Sequence, residues 1–258
     1  MIPKVMPPLS GLSVLVTRPL PQATVLAQKI ALLGGESVLL PAIDIKRLEI
    51  VGTSHGGSHD LVVFVSVNAV EHGARLIDAN TTTLIAAIGR ATAAALTAAG
   101  LPPNVVPEAG FNSEALLAHP QLKFDANSRV LIVRGRGGRE LLQETFSSLG
   151  CHVETLDVYE RTTPALDEQR RSEIEAVWSA HGVDIVTATS VETLDSLLAL
   201  LSEQGRALLA VTPLVVASRR IMQAAIDRGL RGEILVAAGA DDDSILGAIS
   251  QWHSRARS

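Results

Sequence analysis

The chain has 258 residues, 47% hydrophobic, 19% charged and only 3% aromatic. It can therefore bury an aliphatic core, and is neither a disordered chain, an immunoglobulin-like sandwich nor an aromatic platform for single-stranded nucleic acid. A formal net charge of −5 argues against a chain whose main work is clasping nucleic-acid phosphates, and a single cysteine, Cys151, excludes an internal disulfide or a cysteine-based zinc site, which fits the cytoplasm.

Met1 to Ser10 holds three prolines and no apolar run of signal-peptide length, so it reads as a loose arm. Val14 to Arg18 reads as a buried strand and its end. Leu26, Ile30 and Leu33 follow at helical spacing, Gly34-Gly35 stop that helix, and Ser37 to Leu40 resume as a strand. Leu39 to Leu48 continues through Pro41 as an extended stretch. Gly52 to His59 is a loop by composition, and Gly56-Gly57 oppose the helix that His55 and His59 would need to act as an i, i+4 metal pair. Leu84 to Leu101, broken by Gly89, Arg90 and Gly100, parses as a strand and a helix rather than a membrane span. Thr155 to Thr163 is a second long extended stretch, and Asp241-Asp242-Asp243 precede the last helix as acidic capping groups rather than as a magnesium site.

The chain repeats itself. Asp60 to Val67 aligns without gaps on Asp184 to Val191 at an offset of 124 residues. Val14 to Arg18 aligns on Val130 to Arg134, and Leu33-Gly34 on Leu149-Gly150, at an offset of 116. Gly89-Arg90 aligns on Ser218-Arg219, and Gly100-Leu101 on Gly229-Leu230, at an offset of 129. Ordered offsets that drift by a few residues indicate a duplication whose loops changed length. Strands apolar on both faces, alternating with helices, indicate an α/β fold with two similar lobes of parallel sheet flanked by helices. The two extended stretches, equivalent in the repeat, are expected to run side by side as a two-stranded ladder joining the lobes. On that division residues 1–40 and 163–258 form a discontinuous first lobe, 45–158 a second, and 41–44 and 159–162 the connections; a simple split near residue 125 is the alternative.

Ligands of parallel α/β sheets collect beyond the carboxyl ends of the strands. Those places carry Arg18, Ser66, Asn68, Gly89, Arg90, Thr92, Arg134, Gly135, Thr189, Ser190, Ser218 and Arg219. Arginine, glycine and hydroxyl groups suit carboxylate or phosphate without an acid or metal, although Ser66, Ser190 and Ser218 would also serve simply as helix caps. The run Gly135 to Glu140 fails as a dinucleotide fingerprint, because Glu140 stands at the third glycine position. Tyr159, the only tyrosine, lies in the second extended stretch, where its hydroxyl would face a cleft or sit wet at an interlobe seam. Cys151, at a helix-to-strand turn far from any base in sequence, reads as structural.

Leu15-Val16-Thr17-Arg18-Pro19, Phe64 to Val70, Ala87 to Leu96, Asn112 to Leu117, Val130 to Gly135 and Val158-Tyr159-Glu160-Arg161 together resemble the uroporphyrinogen-III synthase family, in the right order from about residue 12 to 250. The resemblance implies two α/β lobes joined by a two-stranded ladder and closure of the linear tetrapyrrole hydroxymethylbilane to uroporphyrinogen III, with inversion of ring D and loss of water. It implies no cofactor or metal and a small-molecule substrate; the acidic charge and the lack of an apolar span add the expectation of no nucleic-acid or membrane partner, and the chain is expected to act as a monomer. It also implies that Tyr159 donates to the leaving hydroxyl, while Arg18, Ser66, Ser190, Ser218 and the turn Gly89 to Thr92 hold an eight-carboxylate substrate. Val65 stands where the family usually has threonine, and Arg219-Arg220-Ile221 where some members have a threonine pair, so hydroxyl contacts are not expected there. A two-lobed polycarboxylate-binding or regulatory protein without turnover is the alternative.

Overall fold

A computed structural model describes residues 6–50, 59–78, 82–108, 112–122, 124–138 and 140–256, apart from the side chain of residue 181. The chain divides into two compact units, Met1–Asp44 with Thr162–Ser258, and Ile45–Arg161.

In chain order the strands and helices begin with β1 (Ser13–Val16), α1 (Leu20–Leu32), β2 (Glu36–Leu39), β3 (Asp44–Arg47), β4 (Leu61–Phe64) and α2 (Val67–Gly73). Next come β5 (Leu84–Ala87), α3 (Arg90–Ala98), α4 (Ser113–Leu117), β6 (Arg129–Gly135), α5 (Leu141–Ser148) and β7 (His152–Thr162). The chain continues through α6 (Glu168–Val177), β8 (Ile185–Ala188), α7 (Val191–Leu200), α8 (Glu203–Val211) and β9 (Leu214–Val216), and ends with α9 (Arg219–Asp227), β10 (Ile234–Val236) and α10 (Asp242–Ala256).

The first unit holds a sheet in the order β10-β9-β8-β1-β2, every pair parallel. Its three inner strands, β1, β8 and β9, are buried on both faces, as the unbroken apolar runs predict. Leu15, Val186 and Leu214 point to one side, where Ile174, Leu194, Leu197, Leu209 and Ile221 of the helices close over them. Val14, Val16, Ile185 and Val215 point to the other, against Ala23, Leu26 and Ile30 of α1 and Ile245 and Ile249 of α10. The second unit holds the order β3-β7-β6-β4-β5, in which β7, β6, β4 and β5 pair in parallel. Val62, Phe64, Leu131 and Val133 meet α2 and α3, while Leu61, Val63, Val130 and Ile132 meet α4 and α5.

The duplication is written into the hydrogen bonds. The Asp184 carboxylate accepts from the Ser13 backbone N–H at 2.8 Å, and Asp60 accepts from the Arg129 N–H at 2.8 Å. Ser13 and Arg129 are themselves related by the offset of 116, so each carboxylate clamps the start of the neighbouring central strand in its own unit. Gly34 and Gly150 (φ 84° and 85°) and Gly100 and Gly229 (φ 82° each) end equivalent helices in the left-handed conformation that favours glycine. A parallel bridge from Ala86 to Val105 in the second unit stands where β10 pairs in the first, since Val105 and Ile234 are 129 residues apart.

The two extended stretches are neighbours: β3 lies beside β7, and the Leu48 N–H donates to the Val158 carbonyl at 3.1 Å. Both belong to the sheet of the second unit, and β7 runs unbroken through Tyr159 to Thr162. The expected loop at Gly52 to His59 falls outside the described residues except for His59. That residue is buried, with its imidazole 3.3 Å from the Glu154 carboxylate. His55, the other member of the pair that the glycines argue against, lies outside the described residues. No cluster of three or more metal-ligating side chains occurs among the described residues. Cys151 is buried, and burial raises its thiol pKa, as suits a structural residue.

At the last helix, the Asp241 carboxylate accepts from the Ser244 N–H at 2.8 Å and from its hydroxyl at 2.7 Å, which holds its pKa below the ordinary carboxylate value. Asp241→Ala is expected to cost about 1 kcal/mol at neutral pH, the worth of a helix cap. Because the folded-state pKa is the lower one, this contribution is full above the unfolded value of about 3.9 and disappears as pH falls through the folded value. Thermal melts of both proteins should therefore differ at neutral pH and converge in acid.

Candidate functional site

When the first unit's strands are numbered by their own sequence, its sheet order is 2-1-3-4-5. A doubly wound sheet of that order gathers ligands where the connections diverge, beyond the carboxyl ends of its two central strands. In the second unit that place lies between β6 and β4, and a cavity of about 260 Å³ opens there. Val65 and Ser66 reach it from the end of β4, Ile88 from beyond β5, Arg134 and Gly135 from β6, and Tyr159 and Arg161 from β7; Ser113 and Leu142 close it.

Tyr159 is aimed by two backbone features. Pairing between β6 and β7 slips after Arg134, which faces Asp157, so that Gly135 faces Tyr159; the extra residue is a bulge that re-aims the side chain. Gly135 then makes room for the ring, because a Cβ there would lie 2.5 Å from the tyrosine Cζ. The expectation of a wet hydroxyl is corrected: Tyr159 is only 2% exposed and packs among the core residues of its unit. Its hydroxyl lies 3.1 Å from the Ser66 Oγ and accepts from Arg161 Nη2 at 3.4 Å. The Arg161 guanidinium stands 5.8 Å from the ring centroid and the His72 ring 6.0 Å. Ser66 has a second task, since its Oγ caps α2 by accepting the Ala69 N–H at 3.0 Å. Arg134 Nε donates to Asp157 at 3.0 Å.

These groups offer a hydroxyl donor backed by a cation, beside a further guanidinium and two serine hydroxyls. Such a site can bind anions and pass a proton to a leaving oxygen without a metal.

A sequence model of the family described as Uroporphyrinogen-III synthase HemD matches residues 24–247. The chain belongs to the uroporphyrinogen-III synthase family. That family comprises cyclising lyases of tetrapyrrole synthesis. The uroporphyrinogen-III synthase of Escherichia coli K12 is 32% identical over 92% of this chain and all of its own length. That of Salmonella typhimurium LT2 is 33% identical over the same shares. Among solved structures, the Helicobacter pylori 26695 uroporphyrinogen-III synthetase superposes with a TM-score of 0.62 at 13% identity over 93% of this chain and 99% of its own. A mutant uroporphyrinogen III synthase from the extremely thermophilic bacterium Thermus thermophilus gives 0.58 at 17% over 95% and 100%. These two likenesses show the fold.

Of the carboxyl-end residues expected to serve a uroporphyrinogen-III synthase, the structure gathers Ser66, Arg134, Gly135 and Tyr159 into the cavity. The rest of the second-unit set lies nearby in sequence but does not line it: Asn68 in the first turn of α2, Gly89 as N-cap of α3, Arg90 reaching the Glu108 carbonyl at 3.3 Å, and Thr92, which is buried. In the first unit Arg18 is committed internally. Its Nη1 meets the Asp242 carboxylate at 2.5 Å, its Nη2 donates to the Ala240 carbonyl, and its side chain is 11% exposed. Burial lowers its pKa, against the pull of Asp242 and Asp241. The Ser190 hydroxyl caps α7, with Thr189 just before it. Ser218 is N-cap of α9 without a capping bond from its side chain, and Arg219 after it is exposed.

Arg161, Asp157, Ser113 and His72 were not anticipated. Arg161 was legible in principle, because residues two apart on a strand share a face. Asp157 was not, since its pairing with Arg134 depends on strand register. No helix among the described residues is long and apolar enough to cross a membrane.

Proposed function

We propose that this chain closes hydroxymethylbilane to uroporphyrinogen III, with Tyr159 assisting the departure of the terminal hydroxyl as water. The observation that carries this reading is the placement of the Tyr159 hydroxyl at the wall of the cavity, between Ser66 and Arg161. The hydroxyl shares one hydrogen bond with the Ser66 Oγ, which either group can donate, so Ser66 holds the position opposite the phenolic oxygen. When the substrate's hydroxymethyl oxygen takes that position, the phenol donates to it as the carbon–oxygen bond breaks. Arg161 then stabilises the charge left on the phenolic oxygen, and the proton returns when the terminal ring carbon is rearomatised. The remaining work is positional, since the chain ends must meet through a spiro intermediate rather than close directly to the type I isomer.

At about 260 Å³ the cavity falls below the roughly 300–1,000 Å³ of pockets that enclose a drug-sized ligand, so it takes one ring and its arms. Ser190 and Ser218 of the first unit are further donor candidates. The same reading has the chain act as a cytoplasmic monomer on a free small molecule, in keeping with its acidic net charge. Purified protein, given fresh hydroxymethylbilane without added metal or cofactor, is expected to yield mainly the type III isomer by chromatography. Formation of type I alone at the spontaneous rate would refute the proposal.

A further inference from the structure

The duplication permits a comparison of equivalent arginines within one chain. Arg18 and Arg134 are 116 residues apart and occupy the same place at the carboxyl end of equivalent central strands. Each is paired with one internal carboxylate, but through different nitrogens. Arg18 presents Nη1 to Asp242 and leaves its buried Nε without a partner among the described residues. Arg134 presents Nε to Asp157 and leaves its buried Nη1 without one. A buried guanidinium N–H left unpaired is costly, and Arg134 carries that cost on a side chain that is among those lining the cavity.

We propose that Arg134 Nη1 receives one carboxylate arm of the substrate, and that Asp157 is the positioning residue that turns the guanidinium towards it. This deepens the proposed function and rests on it for the identity of the ligand. In the first unit the equivalent Nη1 already holds a carboxylate, that of Asp242; in the second, the position on that nitrogen belongs to the substrate. Ile88, Ile132 and Leu142 line the cavity beside it, suiting the apolar part of a ring and strengthening a charge-assisted bond by excluding water. The size of the cavity limits Arg134 to one arm of the eight-carboxylate substrate.

The test uses the full chain, with KM and kcat for hydroxymethylbilane read separately. Arg134→Gln is expected to raise KM about tenfold or more, with kcat within about threefold, as for a lost hydrogen bond to a charged group that binds without entering the chemistry. Arg134→Lys keeps the charge but loses the fork, and should fall between. The Arg134→Gln/Asp157→Asn double variant removes the internal pair as a whole, so it also serves if the single variant folds poorly. It should keep the raised KM. Recovery of wild-type KM in the double variant, or an unchanged KM in Arg134→Gln, would show that Arg134 serves only Asp157 and would overturn the assignment. Equilibrium dialysis against uroporphyrin III needs no turnover. A tenfold loss of affinity in Arg134→Gln supports the anchor and equal affinity refutes it, even if the assay yields no type III product and the proposed reaction itself falls.

Discussion

Tyr159→Phe is expected to lower kcat by about 10²-fold or more, within the range for a lost general acid. The ring stays, and with it the packing against Gly135 and the apolar core; only the oxygen that meets Ser66 and accepts from Arg161 is removed. Because that oxygen is buried, the variant should also lose about 1 kcal/mol of stability, the net worth of an internal hydrogen bond. Ser66 keeps the Ala69 N–H as a partner, so no buried hydroxyl is stranded. KM should change little if the hydroxyl acts mainly as the bond breaks. Steady-state kinetics beside a thermal melt separate the two effects. A near-wild-type rate would reduce the tyrosine to packing and leave positioning as the main source of catalysis.

Gly135→Ala is expected to damage activity although it removes no group that performs chemistry. The added methyl would meet Tyr159 Cζ at 2.5 Å, Cε2 at 2.6 Å and the hydroxyl oxygen at 2.9 Å, all closer than a real Cβ contact. The ring has no free space to retreat into, being part of a packed cluster. Overpacking of this kind costs about 1–3 kcal/mol, and moving a reacting group by about 1 Å can cost 10²-fold in rate. The variant should therefore fold with a lowered melting temperature and a kcat reduced by about tenfold or more. Gly247→Ala is the control: a Cβ there meets nothing within 4 Å inside α10, so the change should raise stability by about 0.5–1 kcal/mol and leave the rate alone. If Gly135→Ala retained full activity, the close fit of the ring on the glycine would not be what aims the hydroxyl.

The fold was legible in the sequence where residue type and backbone geometry are tightly coupled. Glycines that end helices in the left-handed conformation, aspartates one residue before a strand and unbroken apolar runs all survive duplication in place. They reveal the repeat and the two sheets. The site was legible only in part. Strand ends are easy to find, so Ser66, Arg134, Gly135 and Tyr159 could be nominated together. What each does there depends on partners far away in the chain or on register. The bulge between Arg134 and Gly135 leaves no compositional trace, yet it turns Tyr159 inwards. Gly135, nominated as a substrate contact, also makes room for the tyrosine ring. Arg18, nominated beside it, meets a carboxylate 224 residues away. No local pattern announces that contact.

The path of the chain also sets an order of assembly. β1 lies inside its sheet, between β2 and β8, and Ser13 is clamped by a carboxylate 171 residues further on. The second unit, by contrast, is one continuous stretch, Ile45–Arg161. During synthesis it can complete its sheet while the N-terminal strand, made first, still lacks its neighbour β8. At about 5–20 residues per second, that wait lasts on the order of ten to thirty seconds. Throughout it Val14, Leu15 and Val16, all fully buried at the end, have only β2 and α1 to shelter them. β1, translated long before β8, is thus secured late, and the nascent chain is open to aggregation and proteolysis there in the meantime.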